Sequence, residues 1–291
     1  MKGPSPLISL RKSMVNDVLV FTDLDGTLLD HHNYSFAPAL QMLHRLNSIN
    51  IPVIPNTSKT FAELIDLRQQ IGLEGPFIVE NGAAIYIPIL YFKTQPRDTK
   101  SKNGYWVKEF SKPREHWLSL IDELKVLFAG EFNHFSNMSN TEIITATGLS
   151  VRQARLAATR EYGEPILWLG SADTKNIFVQ TIKKLGVTPL QGGRFLHLSG
   201  ECDKGTALTW LAQQFKNERK VKQCTSIALG DGQNDVAMLE VADIAVRILS
   251  PTNAPPTLSR QTDVYTSQAY GPTGWTECLE KIIFTHKQFN M

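Results

Sequence analysis

Cysteine is scarce in this chain: Cys202, Cys224 and Cys278 among 291 residues, an odd number without paired spacing. That excludes a disulfide framework and makes reduced thiols in a cytoplasmic setting the expectation. Cys202 lies near Lys204, and its nearest histidine in sequence, His197, reads as structural, so thiol catalysis is not indicated. Histidine is thin too: the seven residues offer no pair at a metal-ligand spacing, and His134 and His197 read as structural. A net charge of +2 is too small to argue for nucleic acid or a membrane surface as partner. No apolar run reaches the roughly eighteen residues that a membrane span needs. Residues 1–15 carry Lys2, Arg11 and Lys12 but lack an apolar core followed by small residues, so they read as a tail and not a leader. Internal repeats and low-complexity segments are absent as well.

Carboxylates at strand ends are what the chain does have. Val18 to Thr22 is short, β-branched and apolar without alternation, the pattern of a strand buried on both faces. Asp23 and Asp25 follow where it runs out, and in an open parallel sheet ligands bind beyond the carboxyl ends of the strands. An Asp25-Gly26 hairpin turn is the plain alternative. A second cluster weighs against it. Thr225 to Leu229 is another buried strand, followed at once by Gly230-Asp231-Gly232-Gln233-Asn234-Asp235 and a helical apolar period. Asp235 can serve as a first-turn carboxylate favouring the helix dipole. Two acidic strand ends, each with glycine beside it, point instead to a divalent cation. All-oxygen ligation suits Mg2+, and the lack of a His or Cys cluster disfavours zinc.

Anion-binding elements lie between these clusters. Ile51 to Asn56 is strand-like, and Thr57-Ser58-Lys59 leads into Thr60-Phe61-Ala62-Glu63, a capping box opening a helix. Hydroxyls and main-chain N–H groups before a helix N-terminus bind anions, although helix capping alone explains them equally well. Lys204 opens a further helix with Leu208, Leu211, Ala212 and Phe215 on its apolar face. A lysine there opposes the helix dipole, so contact with a carboxylate and a phosphate explains it better than solubility does.

In order, Asp-Leu-Asp-Gly-Thr at 23–27, Thr57, Lys204 and Gly-Asp-Gly-Gln-Asn-Asp at 230–235 resemble the four motifs of the haloacid dehalogenase superfamily. Glu80-Asn81-Gly82-Ala83, after the strand Pro76 to Val79, is similar to the stretch preceding a large α/β cap in its sugar-phosphatase branch. Asn-Thr-Ser-Lys-Thr at 56–60, Thr-Gly-Leu-Ser at 147–150, residues 160–165 and Gln-Gly-Gly-Arg-Phe at 191–195 resemble mannosyl-3-phosphoglycerate phosphatases. One departure stands out: residues 248–255 replace the Gly-Asn-Ala run common after the fourth motif.

The resemblance implies an α/β fold: a Rossmann-like doubly wound parallel sheet core, 16–83 and 199–291, with an inserted α/β cap at 84–198. Within the cap, 86–104 reads as an exposed loop, 117–127 and 177–185 as helices, and 166–169 and 195–198 as strands. The implied activity is Mg2+-dependent hydrolysis of a small glycosyl-3-phosphoglycerate through an aspartyl-phosphate. Other sugar-phosphate phosphatases, phosphotransferases and a non-enzymatic sensor are the competing readings. Asp23 is then the nucleophile and Asp25 the general acid and base, while Thr57 and Lys204 hold phosphate oxygens. Asp23, the main-chain carbonyl of Asp25, Asp231 and Asp235 ligate the metal. Leu24, Ser58, Lys59, Asn81, Arg160, Gln191, Gly192, Gly193, Arg194 and Asn234 line the substrate. Arg194 is a candidate for a substrate carboxylate, and Arg160 another unless it pairs with Glu164 at i,i+4. Whether the chain is a monomer or a dimer stays open.

Overall fold

Strand β1 (Val18–Thr22) is buried at all five positions, because both of its faces carry core. Val18 and Val20 pack into one apolar cluster and Leu19 and Phe21 into another on the opposite side. The structure, a computed structural model, describes residues 17–192 and 194–285; the expected tail at 1–15 lies outside the described residues. After β1 come α1 (Leu40–Ser48), β2 (Val53–Pro55), α2 (Phe61–Ile71) and β3 (Phe77–Val79). The capping box forms as the sequence indicates: Thr60 Oγ1 accepts the Glu63 N–H, and the Glu63 carboxylate accepts the Thr60 N–H.

Antiparallel strands β4 (Ala84–Pro88), β5 (Lys100–Lys102) and β6 (Tyr105–Glu109) follow, in the order β3-β4-β6-β5. A parallel bridge from Asn56 to Ile78 sets this sheet beside β2. Residues 86–104 were expected to be an exposed loop within the cap; 89–99 form such a loop, largely exposed, whereas 86–88 belong to the buried β4 and 100–102 to the short β5. Tyr86 and Val107 enter one core cluster, and Ile85, Ile87 and Trp106 enter the other. Pro88 and the nearby lysines mask an alternating strand, since each β4 side chain serves the core on one face or the other. We propose on this packing that the cap starts near residue 110 rather than at 84.

The inserted unit contains α3 (Arg114–Leu127), β7 (Phe132–His134), α4 (Asn140–Thr147), α5 (Val151–Ala158), β8 (Glu164–Trp168), α6 (Ala172–Lys184), β9 (Pro189–Gly192) and β10 (Phe195–Leu198). Its four strands form one antiparallel sheet, β7-β8-β10-β9. On one face Trp117, Ile121, Phe178 and Ile182 from α3 and α6 pack on Ile166, Leu196 and Leu198. On the other, α4 and α5 cover Phe195 through Ile143, Ala154 and Ala157. Helix α4 had no sequence expectation; Gly148, at φ +78°, ends it, and Ser150 caps α5.

The chain then returns to the core through α7 (Lys204–Arg219), β11 (Thr225–Gly230), α8 (Val236–Val241), β12 (Ile244–Leu249), β13 (Val264–Tyr270) and α9 (Gly271–Leu279). The core sheet runs β13-β12-β11-β1-β2, with every pair parallel. Helices α7 and α8 cover one face, through Leu208, Leu211, Met238 and Leu239. Helices α1, α2 and α9 cover the other, through Met42, Leu46, Leu64 and Trp275. This is the doubly wound arrangement, and its central strands β1 and β11 end side by side.

Candidate active site

Thr22 pairs with Leu229, and the Asp23 N–H donates to the Leu229 carbonyl at 2.9 Å. In-register parallel pairing therefore brings Asp23, just past β1, and Asp231, just past β11, to one edge of the sheet. Asp235 joins them because the loop is very tight. A Cβ on Gly230 would lie 2.5 Å from Asp235 Cβ, and the Gly232 N–H donates to Asp235 Oδ2 at 2.9 Å. Asp23, Asp231 and Asp235 each offer an oxygen within 4.8 Å of the others, and all three are buried. Gly26, at φ +78°, lets the first loop approach closely, since a Cβ there would meet Asp231 Oδ2 at 2.6 Å. Thr27 Oγ1 donates to Asp231 Oδ1 at 3.1 Å.

One ammonium answers the three carboxylates. Lys204 Nζ lies 2.6 Å from Asp23 Oδ1 and 2.6 Å from Asp235 Oδ1, fully buried. Its helix can start so close because Gly82 has no side chain: a Cβ there would meet the Asp203 carbonyl at 2.1 Å. Burial works against the Lys204 charge, but Asp23 and Asp235 outweigh it and hold its pKa above the ordinary value. Burial raises Asp23 well above the usual carboxylate range, with Lys204 opposing. Burial, joined by the charge of Asp235, pushes Asp231 up to about 7. Desolvated carboxylates crowded in this way ionise together only beside more positive charge than one lysine supplies. The donor set is all oxygen, with no histidine or cysteine in the group, which fits a hard divalent cation.

The sequence profile of the haloacid dehalogenase-like hydrolases matches residues 20–154 and 170–270. The chain belongs to this family. The glucosyl-3-phosphoglycerate/mannosyl-3-phosphoglycerate phosphatase of Methanococcoides burtonii is 31% identical over 91% of the chain and 97% of its own length. Among solved structures, a phosphatase of the haloalkanoate (HAD) superfamily from Bacteroides thetaiotaomicron superposes with a TM-score of 0.64 at 17% identity, covering 96% of this chain and 99% of its own. The sucrose-phosphatase of Synechocystis, in complex with sucrose and phosphate, gives 0.59 at 15% identity over 92% and 98%. These two likenesses concern the fold.

For a haloacid dehalogenase-like hydrolase the remaining expected residues divide clearly. Asp25 stands outside the three-carboxylate group; its Oδ2 pairs with Lys59 Nζ at 2.9 Å, while its Oδ1 has no hydrogen-bond partner among the described residues. Lys59 also faces Glu63 Oε1 at 3.7 Å, and although burial opposes its charge, Asp25 and Glu63 raise its pKa. Leu24 sends its side chain into the core, so only its main chain is left for the site. Thr57 is buried and accepts the Lys59 N–H at 3.2 Å. Asn81 Oδ1 accepts from Asn234 Nδ2 at 3.2 Å. A cavity of about 770 Å³ opens over the carboxylates, lined by Asp23, Asp25, Ser58, Lys59, Asp231 and Asn234 from the core and by Arg160, Gln191, Arg194 and His197 from the cap.

Two expectations for the cap change. Helix α5 stops at Ala158, so Arg160 has no i,i+4 partner in Glu164. Arg160 Nε instead faces Glu80 Oε2 at 3.2 Å, and Nη2 donates to the Ser58 carbonyl at 3.3 Å. Glu164 takes Arg114 Nε at 2.6 Å and His134 Nδ1 at 2.9 Å. Arg194 is exposed and donates to the Ala146 carbonyl at 2.8 Å, so part of its guanidinium is already engaged. Gln191 Oε1 accepts from Lys175 at 3.0 Å. Gly192 closes β9 opposite Phe195, and Gly193 lies outside the described residues. Sequence reasoning assigned no role to Glu80. A carboxylate directly after a buried strand was the only local indication.

Proposed function

We propose that this hydrolase is a Mg2+-dependent phosphomonoesterase that cleaves a glycosyl-3-phosphoglycerate, glucosyl or mannosyl, through an aspartyl-phosphate on Asp23. The observation that carries the reading is the Asp23 carboxylate at the end of β1, held by Lys204 and within 4.8 Å of Asp231 and Asp235. Asp23, Asp231 and Asp235 would hold the metal, with the Asp25 carbonyl as a further ligand. Bound there, the cation supplies charge that lets a carboxylate approach a phosphate dianion.

The side chains then divide the work. An Asp23 oxygen forms a bond to phosphorus while the ester P–O bond breaks, replacing one difficult displacement by two easier ones. Asp25 gives its proton to the departing alkoxide, then takes one from the water that hydrolyses the aspartyl-phosphate. Lys59 sits on Asp25 Oδ2 and so sets which oxygen is free for that transfer. Lys204 favours the ionised form of Asp23 against its burial and, with Thr57, faces developing charge on the phosphoryl oxygens. The cavity of about 770 Å³ accommodates a sugar joined to a three-carbon acid, and the relative in Methanococcoides burtonii carries that substrate in its name.

Phosphate release with Mg2+ tests this directly. Mannosyl- and glucosyl-3-phosphoglycerate should outpace free 3-phosphoglycerate, sucrose phosphate and hexose phosphates in kcat/KM. Asp23→Asn should lower kcat at least ~10³-fold with an unchanged circular dichroism spectrum. A preference for simple hexose phosphates would remove the substrate assignment. Near-normal turnover by Asp23→Asn would remove the nucleophile.

A further inference from the structure

Strand β10 divides its side chains between two environments. Leu196 and Leu198 pack beneath α3 and α6, whereas Phe195 and His197 take the opposite face. Helices α4 and α5 cover Phe195, but His197 lies beyond their reach and lines the cavity that Asp23 shares. The imidazole is 9% exposed, and its buried Nδ1 has no hydrogen-bond partner among the described residues. His134 also leaves one buried ring nitrogen, Nε2, unpaired, but its ring is anchored through Nδ1 to Glu164 at 2.9 Å and does not line the cavity. A buried polar atom left unpaired costs stability, and of the two only the His197 ring has a cavity beside it from which a ligand could supply the missing partner.

Two features set what this ring can recognise. Burial first, and then the Arg160 guanidinium, push the His197 pKa down to about 3. The ring is therefore neutral across the physiological range, with one N–H donor and one lone pair. That combination suits a hydroxyl, which both gives and accepts, better than a second anion. A half-turn about the Cβ–Cγ bond exchanges nitrogen for carbon at each ring edge, so either edge can present a nitrogen to the cavity.

We propose that His197 is a specificity-determining residue, whose ring hydrogen-bonds a hydroxyl of the substrate's organic group while the core carboxylates hold its phosphoryl group. The inference rests on the phosphomonoesterase reading but not on the identity of the glycosyl ester.

The test compares kcat/KM for a hydroxyl-rich ester, glucosyl-3-phosphoglycerate or, where the enzyme rejects it, the best hexose phosphate, with that for p-nitrophenyl phosphate. His197→Ala should lower the ratio of the two about tenfold, mainly through KM, as expected for loss of one hydrogen bond. His197→Asn, which keeps a donor and an acceptor, should recover part of it. The ratio is taken within one preparation, so incomplete folding cancels. An independent reading follows the ¹⁵N resonances of the His197 ring in the Asp23→Asn enzyme, which should shift on adding the hydroxyl-rich ester and not on adding p-nitrophenyl phosphate. Equal losses on both esters, an unmoved ratio, or resonances indifferent to the hydroxyl-rich ester would overturn the assignment. Rejection of glucosyl-3-phosphoglycerate by the wild-type enzyme would count against the substrate named above, while the hexose phosphate still decides His197.

Discussion

At the scale of single residues, the charge balance around Lys204 gives the site its pH behaviour. An unfolded Asp231 releases its proton near the ordinary carboxylate value of 3.8, whereas the folded one holds it to about 7. Between those values the folded state binds a proton that the unfolded state has lost, so Asp231 stabilises less as pH rises. Asp23, raised by burial, acts in the same sense. Lys204, raised above 10.5, contributes a constant amount near neutrality. His197 works the other way, because its folded pKa lies below 6.5, and so its effect is confined to more acid solution. The clean window is therefore pH 6.5 to 8. Across it the thermal midpoint in chelator should fall, and the rise produced by Mg2+ should grow, because the cation binds carboxylates that have shed their protons. Differential scanning calorimetry at several pH values checks both. A Mg2+ increment larger at pH 6.5 than at 8 would contradict the raised carboxylates.

Among the elements, the turn after β3 joins the most parts. Glu80 and Asn81 both adopt positive φ, 50° and 60°, strained for residues with side chains at about 1–3 kcal/mol each. Several bonds offset that cost. The Glu80 and Asn81 N–H groups donate to the Lys59 and Thr57 carbonyls, both at 2.9 Å. The buried Glu80 carboxylate accepts from the main-chain N–H groups of Glu161 at 2.8 Å, Tyr162 at 3.3 Å and Gly163 at 2.8 Å, and faces Arg160. The turn thus ties the Thr57–Lys59 loop, through its main-chain N–H groups, to the cap segment that carries Arg160, through the Glu80 carboxylate. Glu80→Ala leaves those donors unpaired and the buried Arg160 guanidinium without its carboxylate, though still on the Ser58 carbonyl, and should cost about 3–5 kcal/mol in urea unfolding. Glu80→Gln, which keeps an acceptor, should cost less; a loss under ~1 kcal/mol for alanine would mean that water takes over the role. The contrast with Thr60 explains what was legible. A capping box is complete within four residues and can be read from them, whereas the partners of Glu80 lie some eighty positions away. The strand at 84–88 escaped notice for a related reason. Alternation between two apolar layers looks like no period at all.

Across the whole molecule, the meeting of Asp23, Asp231 and Asp235 around Lys204 was readable because strand-end carboxylates need only the strand order to converge. How the cap meets the core was not, since it depends on surfaces brought together from distant segments. Helix α5 lies against α2: Thr60 Oγ1 donates to the Leu156 carbonyl at 3.0 Å, Arg152 pairs with Asp66, and Arg160 reaches the Ser58 carbonyl. Of these contacts only the Arg160–Ser58 pair borders the cavity over Asp23, while Asp66, Arg152 and Leu156 line a neighbouring cleft; on the proposed reading, α5 parts from α2 as a glycosyl phosphoglycerate enters and leaves. Joining the two helices tests this. In Asp66→Cys/Arg152→Cys, a short bis-maleimide would bridge the new exposed thiols. The three native cysteines are buried, and burial pushes Cys202 up to about 11 and Cys278 up to about 12 and raises Cys224, so they should not compete for the reagent. The bridged enzyme should retain its thermal midpoint or gain stability, yet lose about tenfold or more in kcat on glucosyl-3-phosphoglycerate, with a smaller loss on p-nitrophenyl phosphate. Each single-cysteine variant treated with the same reagent controls for alkylation itself. Full turnover of the large ester with the bridge in place would show that α5 stays on α2 throughout the cycle and that substrate enters by another face of the cavity.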